Sequence, residues 1–380
     1  MQLVVETNAV SNPPLTWSAG ADVDNSRFDR PGSTIMRRFD VYGLGAALVD
    51  TELRVTDAEL DAHGIAKGVM SLVDEARQNR LLEVFGDHLT LARRASGGSG
   101  ANTVIALCCF GGRGYYSCRV ADDDNGHFYL HDLTAAGVIH NGTRGLPLGI
   151  TGKCLVLITP DAERTMNTFL GASEALAPEN LDPQALADAN WLYVEGYLAT
   201  SPSGRAAAIR ARELARQHGT RVALSLSDPG IVAHFRDELR AMAGGRVDLL
   251  FCNGDEAKSW TGAHDVETAA ERLRADAAVF AITLGARGAL VFDGQQLHRI
   301  PATPATAVDT NGAGDMFAGA FLYGITRGFD HALAGRFANH AAAAVVAQFG
   351  PRLTPAEHTG LLQRFLAAAP AGASGQNAVQ

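Results

Sequence analysis

The chain has 380 residues, of which 47% are hydrophobic, and it carries a formal net charge of −9 at pH 7. This length suggests one large or two medium domains with a sizeable core. The acidic balance argues against a nucleic-acid or anionic-membrane partner, and no apolar stretch reaches the roughly 18 residues that a membrane-spanning helix needs.

The cysteines and histidines show no metal-binding or redox spacing. The five cysteines form no Cys-x-x-Cys pair, and the twelve histidines form no His-Glu-x-x-His pair. The N-terminus lacks the basic region and apolar block of a secretory signal. We therefore expect reduced thiols, a cytoplasmic location and no zinc chemistry.

The two ends of the chain differ in composition from the rest. Residues 1–36 are rich in Asn, Ser, Pro and Gly without a sustained period, and residues 369–380 consist mainly of small and polar residues. Both segments are predicted to be disordered. The globular part is accordingly expected to span residues 37–368.

Apolar runs alternate with helical runs along most of the chain. Phe39-Asp-Val-Tyr42 is the first run, and Ser201-Pro202 provides an N-cap and a helix-starting proline before a helix predicted to end at Gln217. The later runs are Trp191-Leu-Tyr-Val194, Arg221 to Leu226, Val247 to Cys252 and Val279 to Leu284. This alternation predicts an α/β fold with a parallel sheet covered on both faces, whose ligands bind at the carboxyl ends of the strands.

Two segments, about residues 50–71 and 145–172, instead contain short strand-like runs without long helices. In the second segment, Lys153 to Ile158 and Arg164 to Phe169 flank a Pro160-Asp161 turn, which predicts a β-hairpin. We expect both segments to form one small, discontinuous β lid on the α/β body.

The most informative motif is Asp309-Thr-Asn-Gly-Ala-Gly-Asp315, which follows a strand-like Ala307-Val308 and precedes an apolar, small-residue run. Small residues at the start of a helix let backbone N–H groups face an anion. A carboxylate beside such an anion repels it, so Asp315 makes sense as a general base. A loop that only caps the next helix is the alternative, but the length of the motif favours a phosphoryl-transfer site.

Three further groups of residues each have a functional and a structural interpretation. Gly97-Gly98 with Asn102 forms either a ligand-binding turn or a flexible turn with an Asn cap. Asn253 and Glu256 have the spacing of a capping box, which is compatible with a water-mediated Mg²⁺ contact. Thr283, Gly285 and Gly288 either connect two strands or let a nucleotide lie across the strand end.

Other candidates are weaker. Gly43-Leu-Gly45 resembles a dinucleotide-binding motif, but Leu48 replaces its third glycine, and Asp50 is better interpreted as a carboxylate facing a substrate diol. Arg164 is either an exposed hairpin charge or a lid residue. Met166 and Tyr197 line a base pocket in one interpretation and pack in the core in the other. No Walker-type phosphate loop is present.

Together these residues resemble the ribokinase-like (PfkB) family of carbohydrate and nucleoside kinases over about residues 39–352. Asp309 to Asp315 matches the C-terminal signature of that family, and Gly97-Gly98 with Asn102 matches its N-terminal signature. Asn253-x-x-Glu256 matches the family's Asn-x-x-Glu element. Four stretches are similar to the adenosine kinase branch: Val49-Asp50, Lys67 to Met70, Arg164 to Gly171 and Val194 to Leu198.

The resemblance implies a three-layer α/β/α sandwich with a small β-sheet lid, ATP and Mg²⁺ as cofactors, and transfer of the γ-phosphate to the 5′-hydroxyl of a nucleoside, foremost adenosine. Catalytic roles are implied for Asp315 as base and for Gly312, Ala313 and Gly314 as anion-binding backbone. The implied acceptor-binding residues are Asp50, Gly97, Gly98, Asn102, Arg164, Met166 and Tyr197. The implied ATP-binding residues are Asn253, Glu256, Thr283, Gly285, Gly288 and Asn339, with Glu256 holding Mg²⁺ through water.

Two departures from the family pattern leave the acceptor open. Ala46 stands where many adenosine kinases have Asn, and Ser225 stands where many members place an Asn near the phosphates. The alternative acceptors are a sugar, as in ribokinases and fructokinases, or another nucleoside such as inosine, guanosine or cytidine. A nicotinamide-dependent oxidoreductase rests only on the Gly43 motif, and a binding protein without catalysis leaves Asp315 unexplained. The sequence leaves open a monovalent cation and a homodimer formed through the lid edges.

Overall fold

A computed structural model describes residues 37–86, 93–142 and 145–368. The expected disordered segments, residues 1–36 and 369–380, lie outside the described residues. In the described part of the chain, no helix combines the length and the apolar character needed to cross a bilayer.

The larger of two sheets has nine strands in the order β14-β13-β12-β11-β10-β9-β1-β5-β6. Its strands are β1 (Phe39–Leu44), β5 (Gly114–Ser117), β6 (Ile139–His140), β9 (Ala189–Glu195), β10 (Arg221–Ser225), β11 (Val247–Asn253), β12 (Ala277–Thr283), β13 (Ala289–Phe292) and β14 (Leu297–Ile300). The strands from β12 to β6 in this order are parallel, and β13 and β14 are antiparallel to their neighbours.

The second sheet has five strands in the order β3-β8-β7-β2-β4. Its strands are β2 (Leu48–Arg54), β3 (Met70–Leu72), β4 (Arg93–Gly97), β7 (Gly152–Ile158) and β8 (Arg164–Phe169). The predicted hairpin is present as the antiparallel pair β7 and β8. Strand β4 lies between the two segments that the sequence assigned to the lid, and it adds an edge that the sequence analysis missed.

Thirteen helices lie in the described residues. They are α1 (Asp57–Ala62), α2 (Glu75–Val84), α3 (Ser99–Cys109), α4 (Asp124–Ala135), α5 (Pro183–Ala187), α6 (Pro202–Gln217), α7 (Pro229–His234), α8 (Arg236–Ala243), α9 (Gly254–Thr261), α10 (Val266–Leu273), α11 (Ala313–Thr326), α12 (His331–Val346) and α13 (Pro355–Ala368). Short 3₁₀ turns cover Gly171–Ala175, Pro178–Asn180, Gly196–Thr200 and Gly285–Arg287. Helix α6 begins as predicted, because Ser201 accepts a hydrogen bond from the Gly204 N–H and Pro202 takes the first helical position.

Alternate residues of the large sheet face two separate cores. Leu192 and Val194 of β9 belong to the core shared with α5 to α10, whereas Trp191 and Tyr193 belong to the core shared with α3, α4 and α11 to α13. This alternation follows from the two-residue period of a strand. The result is the three-layer α/β/α arrangement expected from the sequence.

Helices α3 and α11 approach each other closely at a glycine. A Cβ atom placed on Gly319 of α11 would lie 2.5 Å from the Thr103 carbonyl oxygen and 2.7 Å from the Ala106 Cβ of α3. Any side chain at this position would push the two helices apart. Because both helices begin at the same cavity, this contact also sets the distance between their N-termini.

We expect Gly319→Ala to lower the free energy of unfolding by about 1–3 kcal/mol, because it overpacks the contact between α3 and α11. Gly360→Ala in α13 is the matched control, since its Cβ would meet only the flexible end of Arg364 at 3.1 Å. The control should raise stability by about 0.5–1 kcal/mol through its higher helix propensity. Chemical denaturation of both variants measures the contrast, and equal effects would contradict the packing role of Gly319.

Candidate active site

The loop before α11 is fixed by the first aspartate of the motif. Asp309 is fully buried, and its carboxylate accepts hydrogen bonds from the Asn311 N–H at 2.8 Å and the Gly350 N–H at 2.9 Å. Gly312 follows with φ of 73°, and a Cβ there would overlap the Pro351 carbonyl oxygen. The loop therefore requires glycine at 312 and delivers the first turn of α11 to the cavity.

Asp315 stands at the third position of α11 and is partly accessible from the cavity. Its Oδ1 accepts a hydrogen bond from the Ser99 hydroxyl at 2.6 Å, and its Oδ2 accepts one from the Asn102 Nδ2 at 3.2 Å. Desolvation raises the pKa of Asp315, whereas these two hydrogen bonds and the charge of Arg164 lower it. Two side chains of α3 thus orient the carboxylate from outside its own helix.

The first turn of α11 contains the backbone that the sequence analysis expects to bind an anion. The N–H groups at the start of a helix have no intrahelical partner and carry the positive end of the helix dipole. Gly314 lines the cavity, and a Cβ there would meet no protein atom within 4 Å. The backbone of Gly314 is therefore open to a ligand, whereas the Ala313 N–H donates a long hydrogen bond to the Thr310 carbonyl oxygen at 3.4 Å.

The turn before α3 lies against Asp50 of β2, which lines the same cavity. Gly98 has φ of 92°, and a Cβ there would overlap the Ala46 carbonyl oxygen. A Cβ on Gly97 would overlap the Asp50 carboxylate, so Gly97 makes room for Asp50 and does not itself line the cavity. Asn102 is 4% exposed, and its Oδ1 has no hydrogen-bond partner.

Asp50 is a buried carboxylate in an acidic neighbourhood. Desolvation is the largest effect that raises the pKa of Asp50. The charges of Glu52 and Asp315 raise it further, whereas the Arg352 guanidinium lowers it. Arg352 is itself held by Asp132 at 3.0 Å and by the Ser96 carbonyl oxygen of β4. Arg352, which precedes α13, therefore supplies a positive charge that favours the ionised form of Asp50.

The capping box that the sequence allowed is present at the start of α9. Asn253 Oδ1 accepts the Glu256 N–H at 2.8 Å, and the Glu256 carboxylate accepts the Asn253 N–H at 3.0 Å and the Asn253 Nδ2 at 2.6 Å. Glu256 lines the cavity as well, and desolvation raises its pKa to about 7. The structural and the functional interpretation are thus compatible in these two residues.

Arg164 connects the second sheet to the motif loop. Its Nη1 donates to the Thr310 carbonyl oxygen at 3.1 Å, and the Thr310 hydroxyl donates back to the Ala162 carbonyl oxygen at 3.1 Å. The charge of Arg164 lowers the pKa of both Asp315 and Glu256. Arg164 therefore faces the cavity and is not a free hairpin charge.

A cavity of about 860 Å³ brings the predicted residues together. All of the predicted site residues except Gly97 line this cavity. They are Asp50, Gly98, Asn102, Arg164, Met166, Tyr197, Asn253, Glu256, Thr283, Gly285, Gly288, Gly312, Ala313, Gly314, Asp315 and Asn339. The lining polar residues that the sequence analysis did not assign to the site are Ser99, Thr168, Glu195, Thr200, Ser225, Ser227, Thr303, Thr310 and Asn311. Ser99 lies inside the Gly97–Gly100 turn, and this position was the one available signal for it.

Two glycines of the dinucleotide-like motif serve packing. A Cβ on Gly43 would lie 2.5 Å from the Val104 side chain, and one on Gly45 would lie 2.5 Å from the Glu195 carboxylate. The closest neighbours of both glycines are therefore protein side chains, which leaves the nicotinamide alternative without support.

The residues fit Mg²⁺ held by one carboxylate. No group of three or more His, Cys, Asp or Glu that could hold a metal ion occurs among the described residues. Mg²⁺ commonly keeps several waters and binds through one or two carboxylates plus substrate phosphates. Glu256 on the cavity wall matches that pattern.

Comparison with known proteins gives consistent matches. The model of the family described as pfkB family carbohydrate kinase matches residues 88–358. The adenosine kinase of Saccharomyces cerevisiae is 28% identical, over 76% of this chain and 88% of its own. A probable sugar kinase structure from Rhizobium etli CFN 42 is 36% identical with a TM-score of 0.82 and covers 87% of this chain and 99% of its own. The adenosine kinase structure from Sinorhizobium meliloti is 34% identical with a TM-score of 0.79 and covers 86% and 99%.

We expect the two aspartates of the motif to differ in their effect on stability. Asp309→Asn should lower the free energy of unfolding by about 1–3 kcal/mol, because an amide accepts only one of the two buried N–H groups. Asp315→Asn should leave it unchanged or raise it, because it removes a desolvated charge and Asn102 can turn its Oδ1 toward the new amide. Denaturant titration measures both variants, and a larger loss in Asp315→Asn would contradict this division.

Proposed function

Because this chain belongs to the pfkB family of carbohydrate kinases, we propose that it transfers the γ-phosphate of ATP to the 5′-hydroxyl of a nucleoside, with adenosine as its preferred acceptor. The chain is a phosphotransferase that acts on a hydroxyl group. Its sequence and structural similarity to adenosine kinases supports the adenosine kinase-like branch.

The position of Asp315 is the observation that carries this proposal. Its carboxylate lies beside the open backbone of the α11 N-terminus and is held by Ser99 and Asn102 of α3. We propose that Asp315 accepts the proton of the attacking hydroxyl, while the Gly312 to Gly314 backbone binds the charge that develops on the phosphoryl group. The guanidinium of Arg164, which donates to the Thr310 carbonyl oxygen, provides further positive charge at the cavity.

The acceptor side offers groups for a diol. Asp50 and the backbone at Gly98 line the cavity next to Asn102, whose Oδ1 is buried without a partner. A buried acceptor without a donor costs free energy that a substrate hydroxyl removes on binding. We propose that these residues hold the ribose hydroxyls of the acceptor and that Gly97 acts by accommodating Asp50.

A row of side chains across the second sheet favours a nucleoside over a free sugar. Asp50 is in register with Cys154, Cys154 with Thr168, and Thr168 with Leu72, and all four line the cavity. Three strand spacings of about 4.8 Å make this row about 14 Å long. A sugar held by Asp50 covers only the start of the row, so the rest suits a flat, largely apolar group.

Further apolar side chains border that row. They are Leu48, Met70, Met166 and Leu170. Tyr197, in the 3₁₀ turn that follows β9, lines the same cavity. We propose that the base of the nucleoside lies between these side chains, and that the second sheet acts as a lid that excludes water during transfer.

The opposite end of the cavity would hold the donor. We propose that Asn253, Glu256, Thr283, Gly285, Gly288 and Asn339 bind ATP, with Glu256 holding Mg²⁺ through water. When bound, Mg²⁺ supplies positive charge that offsets the phosphate oxygens. Asn339 also donates from Nδ2 to the Pro301 carbonyl oxygen at 3.0 Å, which fixes the loop beside it. The monovalent cation, the homodimer and the cytoplasmic location stay predictions.

We expect Asp315→Asn to lower kcat by about 10²–10⁴-fold, because the variant keeps the side-chain volume but loses the base. The KM for the acceptor should change little. ADP release under saturating ATP measures this loss. Asp330→Asn is the matched control, since Asp330 caps α12 outside the cavity and should keep normal turnover. Near-normal turnover of Asp315→Asn would contradict its role as the base.

We expect nucleosides to be better acceptors than free sugars by more than about tenfold in kcat/KM, because a free sugar leaves the apolar row uncovered. ADP release is measured with adenosine, inosine, guanosine, cytidine, ribose and fructose, and Asp315→Asn gives the background for each. Adenosine should have the highest kcat/KM. A ribose or fructose value that equals the adenosine value would replace the nucleoside with a sugar as the acceptor.

A further inference from the structure

Glu195 is a buried carboxylate at the carboxyl end of β9. It is 0% exposed, and each of its oxygens accepts one backbone hydrogen bond. Oε1 accepts the Ala46 N–H at 2.6 Å, and Oε2 accepts the Gly100 N–H at 2.6 Å. One side chain therefore ties together two segments that are distant in sequence.

The Gly100 N–H belongs to the first turn of α3. The N-cap of this helix is Gly98, which has no side chain to accept a hydrogen bond from that turn. Glu195 supplies the missing acceptor from a neighbouring strand, and a negative charge at a helix N-terminus is favourable. Glu195 thus acts as a helix cap that is not local in sequence.

The Ala46 N–H belongs to the loop between β1 and β2. The Ala46 carbonyl oxygen accepts a hydrogen bond from the Tyr116 hydroxyl at 3.2 Å and packs against Gly98. This loop leads into β2, which carries Asp50. Glu195 therefore fixes the start of α3 and the approach to Asp50 at the same time.

The first turns of α3 in turn hold the proposed base. Ser99 and Asn102 are the two side chains that bind the Asp315 carboxylate. If the N-terminus of α3 moves, both hydrogen bonds move with it. We propose that Glu195, in its ionised form, is a positioning residue that holds α3 and the Ala46 loop in the geometry needed for acceptor binding, and that its protonation loosens this geometry. This inference rests on the proposed phosphoryl transfer.

The surroundings of Glu195 make its charge sensitive to pH. Desolvation raises the pKa of Glu195 to about 7, the two N–H groups lower it, and the charge of Asp315 on α11 raises it. The other titratable groups whose pKa it affects are Tyr116 and Cys118 at β5, Tyr129 on α4 and Tyr193 on β9. Burial raises the pKa of all four, so they remain neutral near pH 7.

Protonation changes the hydrogen-bonding capacity of Glu195. An ionised carboxylate only accepts, whereas a carboxylic acid carries one O–H donor. The protonated oxygen would then face a backbone N–H donor, and one of the two N–H groups would lose its acceptor. Glu195→Gln reproduces this pattern permanently, because an amide has one acceptor oxygen and one donor nitrogen.

The kinetic test uses adenosine as the acceptor at saturating ATP between pH 6 and pH 8. In the wild-type chain, the KM for adenosine should rise by up to about tenfold from pH 8 to pH 6, as expected for one group that titrates near 7. Glu195→Gln should show the high KM at every pH. Ser173→Ala is the matched control, because it removes the hydrogen bond to the Ala47 N–H at 2.9 Å without removing a titratable group. It should keep the wild-type pH dependence.

Stability gives a readout that separates positioning from a purely structural role. A carboxyl whose pKa is higher in the folded than in the unfolded chain stabilises the fold below its unfolded pKa of about 4.5, and this contribution is lost as pH rises through 7. Relative to Glu195→Gln, the wild-type chain should therefore gain melting temperature toward pH 6 while it loses affinity for adenosine. A structural role would make stability and affinity fall together.

Hydrogen exchange tests the inference without any substrate. At pH 8, the N–H groups of Ala46 and Gly100 should exchange faster in Glu195→Gln than in the wild-type chain. If the variant does not fold, the same two N–H groups in the wild-type chain should lose protection, after correction for intrinsic rates, as pH falls below 7. Unchanged exchange in either comparison would overturn the inference. Failure to phosphorylate adenosine with the exchange effect intact would instead overturn the proposed acceptor.

Discussion

The proposed reaction requires carboxylates to stay ionised, or correctly oriented, in a cavity that would also bind ATP. Because ATP is an anion, it repels these carboxylates. Asp50, Glu195, Glu256 and Asp315 all line the cavity, and Arg164 is the one basic side chain among the described lining residues. Burial raises the pKa of each of these carboxyl groups. Hydrogen-bond donors offset this cost for three of them. The Gly100 N–H of α3 binds Glu195, the Asn253 N–H at the start of α9 binds Glu256, and the side chains of Ser99 and Asn102 bind Asp315 at the start of α11.

The starts of α3, α9 and α11 differ in how the N–H groups of their first turns are capped. Helix α9 has a local capping box made by Asn253 and Glu256, which also places a carboxylate on the cavity. Helix α11 has Gly312 as its N-cap and no side-chain cap, and the backbone at Gly314 in its first turn is open to an anion. Helix α3 also lacks a local cap, but its first turn is bound by Glu195 from β9. This difference is the reason that we assign phosphate binding to α11 and orientation of the proposed base to α3.

The sequence predicts what depends on neighbouring residues and misses what depends on distant contacts. The continuous apolar strands and the capping signals at Ser201 and Asn253 identify the parallel sheet and two helix starts, because both signals are local. The Asp309 to Asp315 motif is also a local signal, because its small residues and its two aspartates lie close together in the sequence. Glu195 carries no such signal, because its partners lie 149 and 95 positions away. Gly97 was assigned to ligand binding for the same reason: only the structure shows the Asp50 carboxylate against it.

The proposed site is divided between two parts of the fold. The residues proposed for phosphoryl transfer and those proposed for acceptor binding therefore lie on separate elements. The proposed base and phosphate-binding backbone follow the large sheet, at the N-terminus of α11. The row from Asp50 to Leu72 belongs entirely to the second sheet, and its register is fixed by strand pairing. A substitution at Cys154 or Thr168 therefore changes the surface that faces the acceptor without disturbing the hydrogen bonds of Asp315. Hydrogen bonds connect the second sheet to the motif loop. Arg164 donates to the Thr310 carbonyl oxygen, the Thr310 hydroxyl donates to the Ala162 carbonyl oxygen, and Asn311 donates to Glu52. Because the charge of Arg164 on the second sheet lowers the pKa of Asp315, the position of this sheet affects the ionisation of the proposed base.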